Sequence, residues 1–274
     1  MPSTLLRILI IATSLTGCGP GRKADSGTQT TFDTPQSQKP PATALVVSAA
    51  TRKNPSILEW ETVETLPEQI AVFDHVFWEP DDTSSLRELL RTTDVVHDKS
   101  VLEIGTGTGI VSLCCVQAGA VRIVATDINP WAARNAAFNA ELLNFNDRMQ
   151  VRLVPQKRPL AWSVIHRDEH FDVIISNPPW ELGRATRVED FAFYDPDFRL
   201  MESIVSGLPE HLNPNGRAFL AYGHVPAIRQ LKMLLKHNNL PFRTRDQRSL
   251  DDLPESFLPG MLLEVRLHDS FDTP

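Results

Sequence analysis

Val101-Leu102-Glu103-Ile104-Gly105-Thr106-Gly107-Thr108-Gly109 is a short apolar run that breaks into alternating glycines and passes directly into the apolar stretch Ile110 to Ala118. A brief apolar run bounded by glycine reads as a buried strand, and the longer stretch after it as a helix. Strand, glycine turn and helix in immediate succession open a β-α-β unit. Glycine permits positive φ and lets a ligand approach backbone that a Cβ would shield, so the turn is a candidate binding loop as well as a simple tight turn.

Working outward, the same alternation repeats. Val121 to Thr126, Val151 to Val154, Phe171 to Ser176 and Ala218 to Tyr222 read as further strands. Pro130 to Leu143, a weaker stretch at Pro159 to Asp168, Arg199 to His211 and Pro226 to His237 read as helices, with proline suited to a first helical turn. Strict alternation implies right-handed crossovers and a doubly wound α/β architecture with a mostly parallel sheet. Ligands of such sheets bind beyond the carboxyl ends of the strands, so the residues just after each strand carry the functional reading.

Two more strand ends are informative. Asp127 follows the second strand, about 20 residues beyond the glycine turn, where an acid can accept hydrogen bonds from both hydroxyls of a ribose. Its competing role is to cap the helix opening at Pro130, which Asn129 fills better from its place immediately before the proline. Ser176-Asn177-Pro178-Pro179-Trp180 ends the fourth strand. Asn and Pro are common in turns, yet this one stiffens the backbone, presents carbonyls without N–H groups at two positions, and adds a flat aromatic face.

The turn Glu103 to Gly109 resembles motif I of the class I S-adenosylmethionine-dependent methyltransferases, and Asn177-Pro178-Pro179-Trp180 resembles motif IV of their branch acting on glutamine side-chain amides or adenine N6. The resemblance implies a seven-stranded, Rossmann-like methyltransferase fold and S-adenosyl-L-methionine as cofactor. Glu103, Gly105, Thr106, Gly107, Thr108, Gly109 and Asp127 would then hold the cofactor, with Asn177 also against it. Asn177, Pro178, Pro179 and Trp180 would be the catalytic set. A conjugated NH2 is a poor nucleophile because its lone pair is delocalised; in the family, the Asn177 oxygen and the Pro178 carbonyl would accept its two N–H bonds and aim the nitrogen at the methyl group. No general base is required by that picture. Phe77 to Ser84 resembles the segment before motif I in the release-factor glutamine methyltransferases, and serves equally as a loop into a capped helix at Ser84 to Arg91. Two departures stand out: Val154-Pro155-Gln156-Lys157 lacks the acid that often touches the adenine, and the N-terminal helical substrate domain of the release-factor enzymes is replaced by a quite different front end.

That front end begins with Arg7 and the apolar run Ile8 to Ala12 and reaches Leu15-Thr16-Gly17-Cys18. The order is that of a secretory signal, and the run is short against the roughly 20 apolar residues that span a bilayer. The last four residues resemble a bacterial lipobox, which implies a signal at 1–17, lipidation of Cys18, and membrane anchoring. Residues 19–41 are rich in Gly, Ser, Thr, Gln, Lys and Pro and cannot bury enough apolar surface to fold. The expected organisation is therefore a signal (1–17), a flexible linker (18–61) and a methyltransferase domain (62–274). A misassigned start codon would instead give a cytoplasmic protein.

Composition narrows the partners. Of 274 residues 42% are hydrophobic and 22% charged, and the net charge is −7, which excludes a surface that attracts nucleic acid all over. Arg184, Arg187, Arg243, Arg245 and Arg248 are candidates for a local basic groove. Three cysteines with no zinc-like spacing exclude a disulfide framework and leave no metal site expected; Cys114 and Cys115 read as small buried hydrophobes. The leading expectation is a methyltransferase acting on a protein or an RNA. Against it stand a catalytically silent binding module on a membrane, favoured by the exported address, and an NAD-linked oxidoreductase, disfavoured by the G-x-G-x-G spacing.

Overall fold

The apolar runs are buried on both faces, as expected of strands in a parallel sheet. In a computed structural model that describes residues 45–48, 56–268 and 271, strand β4 (Ser100–Ile104) lies at the centre of an eight-stranded sheet. Alternate residues enter different cores. Val101, Ile123 and Val173 pack under the helices on one side, while Leu102, Val124 and Ile174 pack under those on the other. The first layer is α1 (Ser84–Thr92), α2 (Ile110–Gln117) and α3 (Pro130–Leu142); the second is α4 (Arg199–His211) and α5 (Val225–His237).

In chain order the remaining strands are β1 (Leu45–Val46), β2 (Ile57–Glu61), β3 (Ile70–Phe73), β5 (Arg122–Asp127), β6 (Met149–Leu153), β7 (Phe171–Ser176), β8 (Leu212–His224), β9 (Phe242–Thr244) and β10 (Ser256–Val265). The sheet runs β1-β6-β5-β4-β7-β8-β10-β9, parallel from β6 to β8 and antiparallel at both ends. Strand order reverses between β4 and β7, the position at which doubly wound sheets open a crevice. Register sharpens this: Ile104 lies opposite both Thr126 and Ser176, so Gly105, Asp127 and Asn177 follow in one row along the carboxyl edge.

Three expectations need correction. The sheet has an eighth strand, because β1 pairs antiparallel with the edge of β6. The boundary at residue 62 falls too late: β2 pairs with β3 as a separate hairpin, so at least residues 57–61 are folded rather than linker. Compositional bias ends near Pro41, and the apolar character of Ile57-Leu58-Glu59-Trp60 already signals structure. Pro159 to Asp168 forms turns, not a helix. Its polar groups are claimed by distant partners: Ala161 N and Trp162 Nε1 donate to Ser203 Oγ and Ser203 O, and Arg152 Nη1 donates to Val164 O. The signal at 1–17 and Cys18 lie outside the described residues. Among the described residues, no helix is long and apolar enough to cross a membrane.

Candidate active site

The three aligned strand ends open into a cleft of about 380 Å³ whose wall includes Gly105, Asp127, Asn177, Trp180 and Asp82. One rim is the glycine loop. Gly105, Gly107 and Gly109 adopt φ of 80°, 56° and 89°, a region that side-chain-bearing residues avoid. Gly105 N and Thr106 N both donate to Thr126 O, at 2.9 and 3.0 Å, which fastens the loop to the end of β5. A Cβ built at Gly105 or Gly107 would meet nothing within 4 Å, so the loop leaves an open cradle beside the cleft. Gly109 is different. It is not part of the cleft wall, and its Cβ would stand 3.0 Å from Ala136 Cα, so this glycine serves close packing of α2 on α3.

Glu103 and Asp127 organise the loop from within. Glu103 Oε2 accepts from Thr106 Oγ1 at 2.6 Å, from Ser112 N at 3.2 Å and from Ser112 Oγ. Burial pushes its carboxyl up to about 7 against those hydrogen bonds. Asp127 Oδ2 accepts Gly107 N and its Oδ1 accepts Asn129 N, both at 2.8 Å. Burial also raises the Asp127 carboxyl. Asn129 is the helix cap, its side chain accepting from Trp131 N ahead of Pro130, which leaves Asp127 to the cleft. Thr106 and Thr108 also line the cleft, and Thr108 Oγ1 is buried without a partner among the described residues.

On the other side of the switch point, Ser176 Oγ donates to Ile104 O at 2.7 Å and locks the end of β7 to β4. The next residue is Asn177, whose Nδ2 donates to Asp82 Oδ2 at 2.9 Å. Asn177 Oδ1 is buried and has no partner among the described residues. Pro178, Pro179 and Trp180 continue the wall. Trp180 is seated against Gly223, where a Cβ would lie 3.1 Å from the indole Cζ2.

Sequence reasoning missed several contributors. Asp82, in the 3-10 turn Pro80–Thr83, is 4% exposed, and its carboxyl is raised to about 6 by burial, which outweighs its bond to Asn177; nearby Glu79 adds to the rise. Its signal was present in Glu79-Pro80-Asp81-Asp82-Thr83, but its partner is distant in sequence. Asn139, fully buried on α3, donates to both Ala71 O and Thr108 O, tying the hairpin to the glycine loop. Residues 181–198 return over the cleft: Glu181 N donates to Phe193 O, Asp195 N donates to Glu181 O, and Phe193 meets Phe77 edge-on with ring centroids 5.2 Å apart. The five arginines do not form one groove. Arg184 lines the cleft, Arg187 contacts Asp190, Arg248 pairs with Asp246, and Arg243 and Arg245 converge on Glu264.

Known proteins bear out the family. The family model described as ribosomal protein L11 methyltransferase (PrmA) matches residues 83–178. A putative protein N5-glutamine methyltransferase of Methanocaldococcus jannaschii is 36% identical over 145 residues, covering 51% of this chain and 68% of that protein. The chain belongs to the class I S-adenosylmethionine-dependent methyltransferases. A tRNA1(Val) (adenine(37)-N6)-methyltransferase of Phocaeicola vulgatus is 38% identical over 89 residues, 32% of this methyltransferase and 35% of that one, so only about a third of the tRNA enzyme's length is spanned. In fold, the methyltransferase resembles the hMettl16 catalytic domain crystallised with MAT2A 3'UTR hairpin 1, with a TM-score of 0.55 at 16% identity over 73% of this chain and 75% of that one.

The residues present fit S-adenosylmethionine. Gly105 and Gly107 provide backbone that a ligand can approach without meeting a Cβ, and Asp127 stands at the end of β5 beside them. When bound, the cofactor supplies an activated methyl group on a sulfonium. The loop at Gly105 and Gly107 would hold it at the carboxyl edge of β4 and β5.

Proposed function

We propose that this methyltransferase transfers the methyl group to a planar amide or amino nitrogen, either a protein glutamine amide or the exocyclic amine of an RNA or DNA base. The observation that carries the reading is the state of Asn177. Its Nδ2 is held by Asp82, and its Oδ1 is buried without a donor among the described residues. An unpartnered buried acceptor costs about 1–3 kcal/mol, a cost that an incoming N–H would relieve. Together with the Pro178 carbonyl it would hold both hydrogens of an NH2 group and draw the nitrogen out of conjugation. The 36% identity to a putative glutamine enzyme makes the glutamine amide the first acceptor to test, and the adenine amine the second. The relatives named above are methyltransferases, which lends the catalytically silent module no support.

The test is methyl transfer from labelled cofactor to glutamine-containing protein substrates and, in parallel, to adenine-containing RNAs. Asn177→Ala should lower turnover by about 10²–10³-fold while leaving cofactor affinity within about threefold by calorimetry. Equal turnover in the variant removes Asn177 from the chemistry. We also propose that the leader directs the chain to a membrane through lipidated Cys18; Cys18→Ser should then release it into the soluble fraction, and a soluble wild type refutes the anchor.

A further inference from the structure

Two acceptor atoms, not one, stand unsatisfied in the acceptor half of the cleft. Asp82 Oδ2 takes the hydrogen bond from Asn177 Nδ2, while Asp82 Oδ1 and Asn177 Oδ1 are both buried and have no partner among the described residues. Both side chains belong to the cleft wall, and one hydrogen bond joins them. Adjacent buried acceptors without donors call for a ligand that brings at least two polar hydrogens.

The chemistry of an NH2 acceptor asks for more than hydrogen bonds. As the nitrogen lone pair forms the new N–CH3 bond, the S–CH3 pair stays on sulfur and the positive charge passes to nitrogen. One N–H bond must then break, returning its electrons to nitrogen and releasing a proton. The side-chain amide of Asn177 and the carbonyl of Pro178 can accept a hydrogen bond but are far too weakly basic to keep a proton. A carboxylate is not. We propose that Asp82 is the proton acceptor of this methyltransferase: as the nitrogen becomes cationic, the N–H first held by the Pro178 carbonyl passes to Asp82 Oδ1, which takes the proton and later yields it to water. This rests on the planar-nitrogen reading given above, and it adds a base to a site whose sequence motif requires none.

The surroundings suit the role. With its carboxyl raised to about 6 by burial, Asp82 is largely ionised at neutral pH yet more basic than an ordinary aspartate. The elements packed against its turn are α1 and β10. The near charge on α1 is Arg87, committed to Glu64, Pro80 O and Thr83 Oγ1. The one charge on β10 is Glu264, held by arginines. Glu79 on the same loop raises the carboxyl further, and the end of β7 contributes only the neutral Asn177.

Asp82→Asn separates proton acceptance from positioning, because an asparagine oxygen still accepts from Asn177 Nδ2. The variant should bind cofactor within threefold of wild type by calorimetry and keep KM for the acceptor within threefold. Its turnover should fall by about 100-fold or more, the typical range for a general base, and the rise of wild-type turnover through pH 6 should disappear. Without any acceptor present, difference infrared spectra of wild type against Asp82→Asn should show one carboxyl titrating near 6. Turnover within threefold of wild type, or an unchanged pH profile in the variant, overturns the assignment. Failure of the wild type on every NH2 acceptor would instead overturn the reading of the function on which it rests.

Discussion

Replacing Glu103 by glutamine should make the protein more stable at alkaline pH, although it removes a carboxylate that accepts hydrogen bonds from Thr106 and Ser112. Glu103 is 4% exposed, and burial lifts its carboxyl from 4.5 to about 7. Because the folded-state value lies above the unfolded one, the folded protein binds more protons between those limits. The stabilising contribution is therefore complete below about 4.5, declines as pH rises, and is gone above about 7. At about 1.4 kcal/mol per pH unit, the span corresponds to about 3 kcal/mol of stability lost by the wild type between pH 4.5 and 8.5.

Glutamine holds the site in its neutral form at every pH. With its oxygen in the place of Glu103 Oε2 it can accept the same bonds from Thr106 and Ser112, and the exchange of acceptor forfeits about 1 kcal/mol. The balance is a variant about 2 kcal/mol more stable than wild type at pH 8.5 and nearly level with it at pH 5. Urea unfolding of both proteins at pH 5, 7 and 8.5 measures this. Carboxyls whose values also move on folding, among them Asp195, Glu169 and Glu264, are common to both proteins and cancel in the difference. A difference that does not change sign or slope with pH would refute the reasoning, since it would mean that Glu103 does not titrate with folding.

Two further outcomes test the scaffold. Gly109→Ala combines a left-handed backbone at φ 89° with a Cβ 3.0 Å from Ala136 Cα, and should cost about 2–4 kcal/mol by thermal unfolding; a loss below about 0.5 kcal/mol would show that α2 and α3 separate without penalty. Glu264 is fully buried among Arg217, Arg243, Arg245 and Arg266. Its carboxyl is held below the usual range by those arginines against the penalty of burial. Glu264→Ala should destabilise by about 3–5 kcal/mol in urea, because like charges are left facing one another in a low-dielectric setting, and a loss under about 1 kcal/mol would mean that solvent already screens the cluster.

How far the sequence discloses this molecule depends on whether a feature is local. β4, β5 and β7 are legible because both faces of each are covered, so Val101-Leu102 and Val173-Ile174-Ile175 appear as unbroken apolar runs. Helix α3 is legible from Asn129-Pro130. Pro159 to Asp168 misleads because its composition permits a helix, while Ser203 and Arg152, contributed by other elements, claim the groups a helix would need. Leu45–Val46 is too short to announce itself, and only the open edge of β6 makes it a strand.

The active site divides along the same line. Asn177-Pro178-Pro179-Trp180 is contiguous, and its stiff backbone is written in the two prolines, so its place at the end of β7 follows from the sequence. The direction of the Asn177 amide does not. An asparagine side chain turned by half a rotation would present two donors to the cleft and repel the very N–H groups it is suited to accept. What forbids that rotation is Asp82, a buried acceptor 95 residues earlier that can bind only the Nδ2 end. On the function proposed above, the contiguous motif would supply the acceptor atom and a residue outside it the direction. A chain that kept Asn177 to Trp180 but had no hydrogen-bond acceptor at position 82 would retain the motif while losing the constraint that aims it, which is why the motif alone is weaker grounds for activity than the pair.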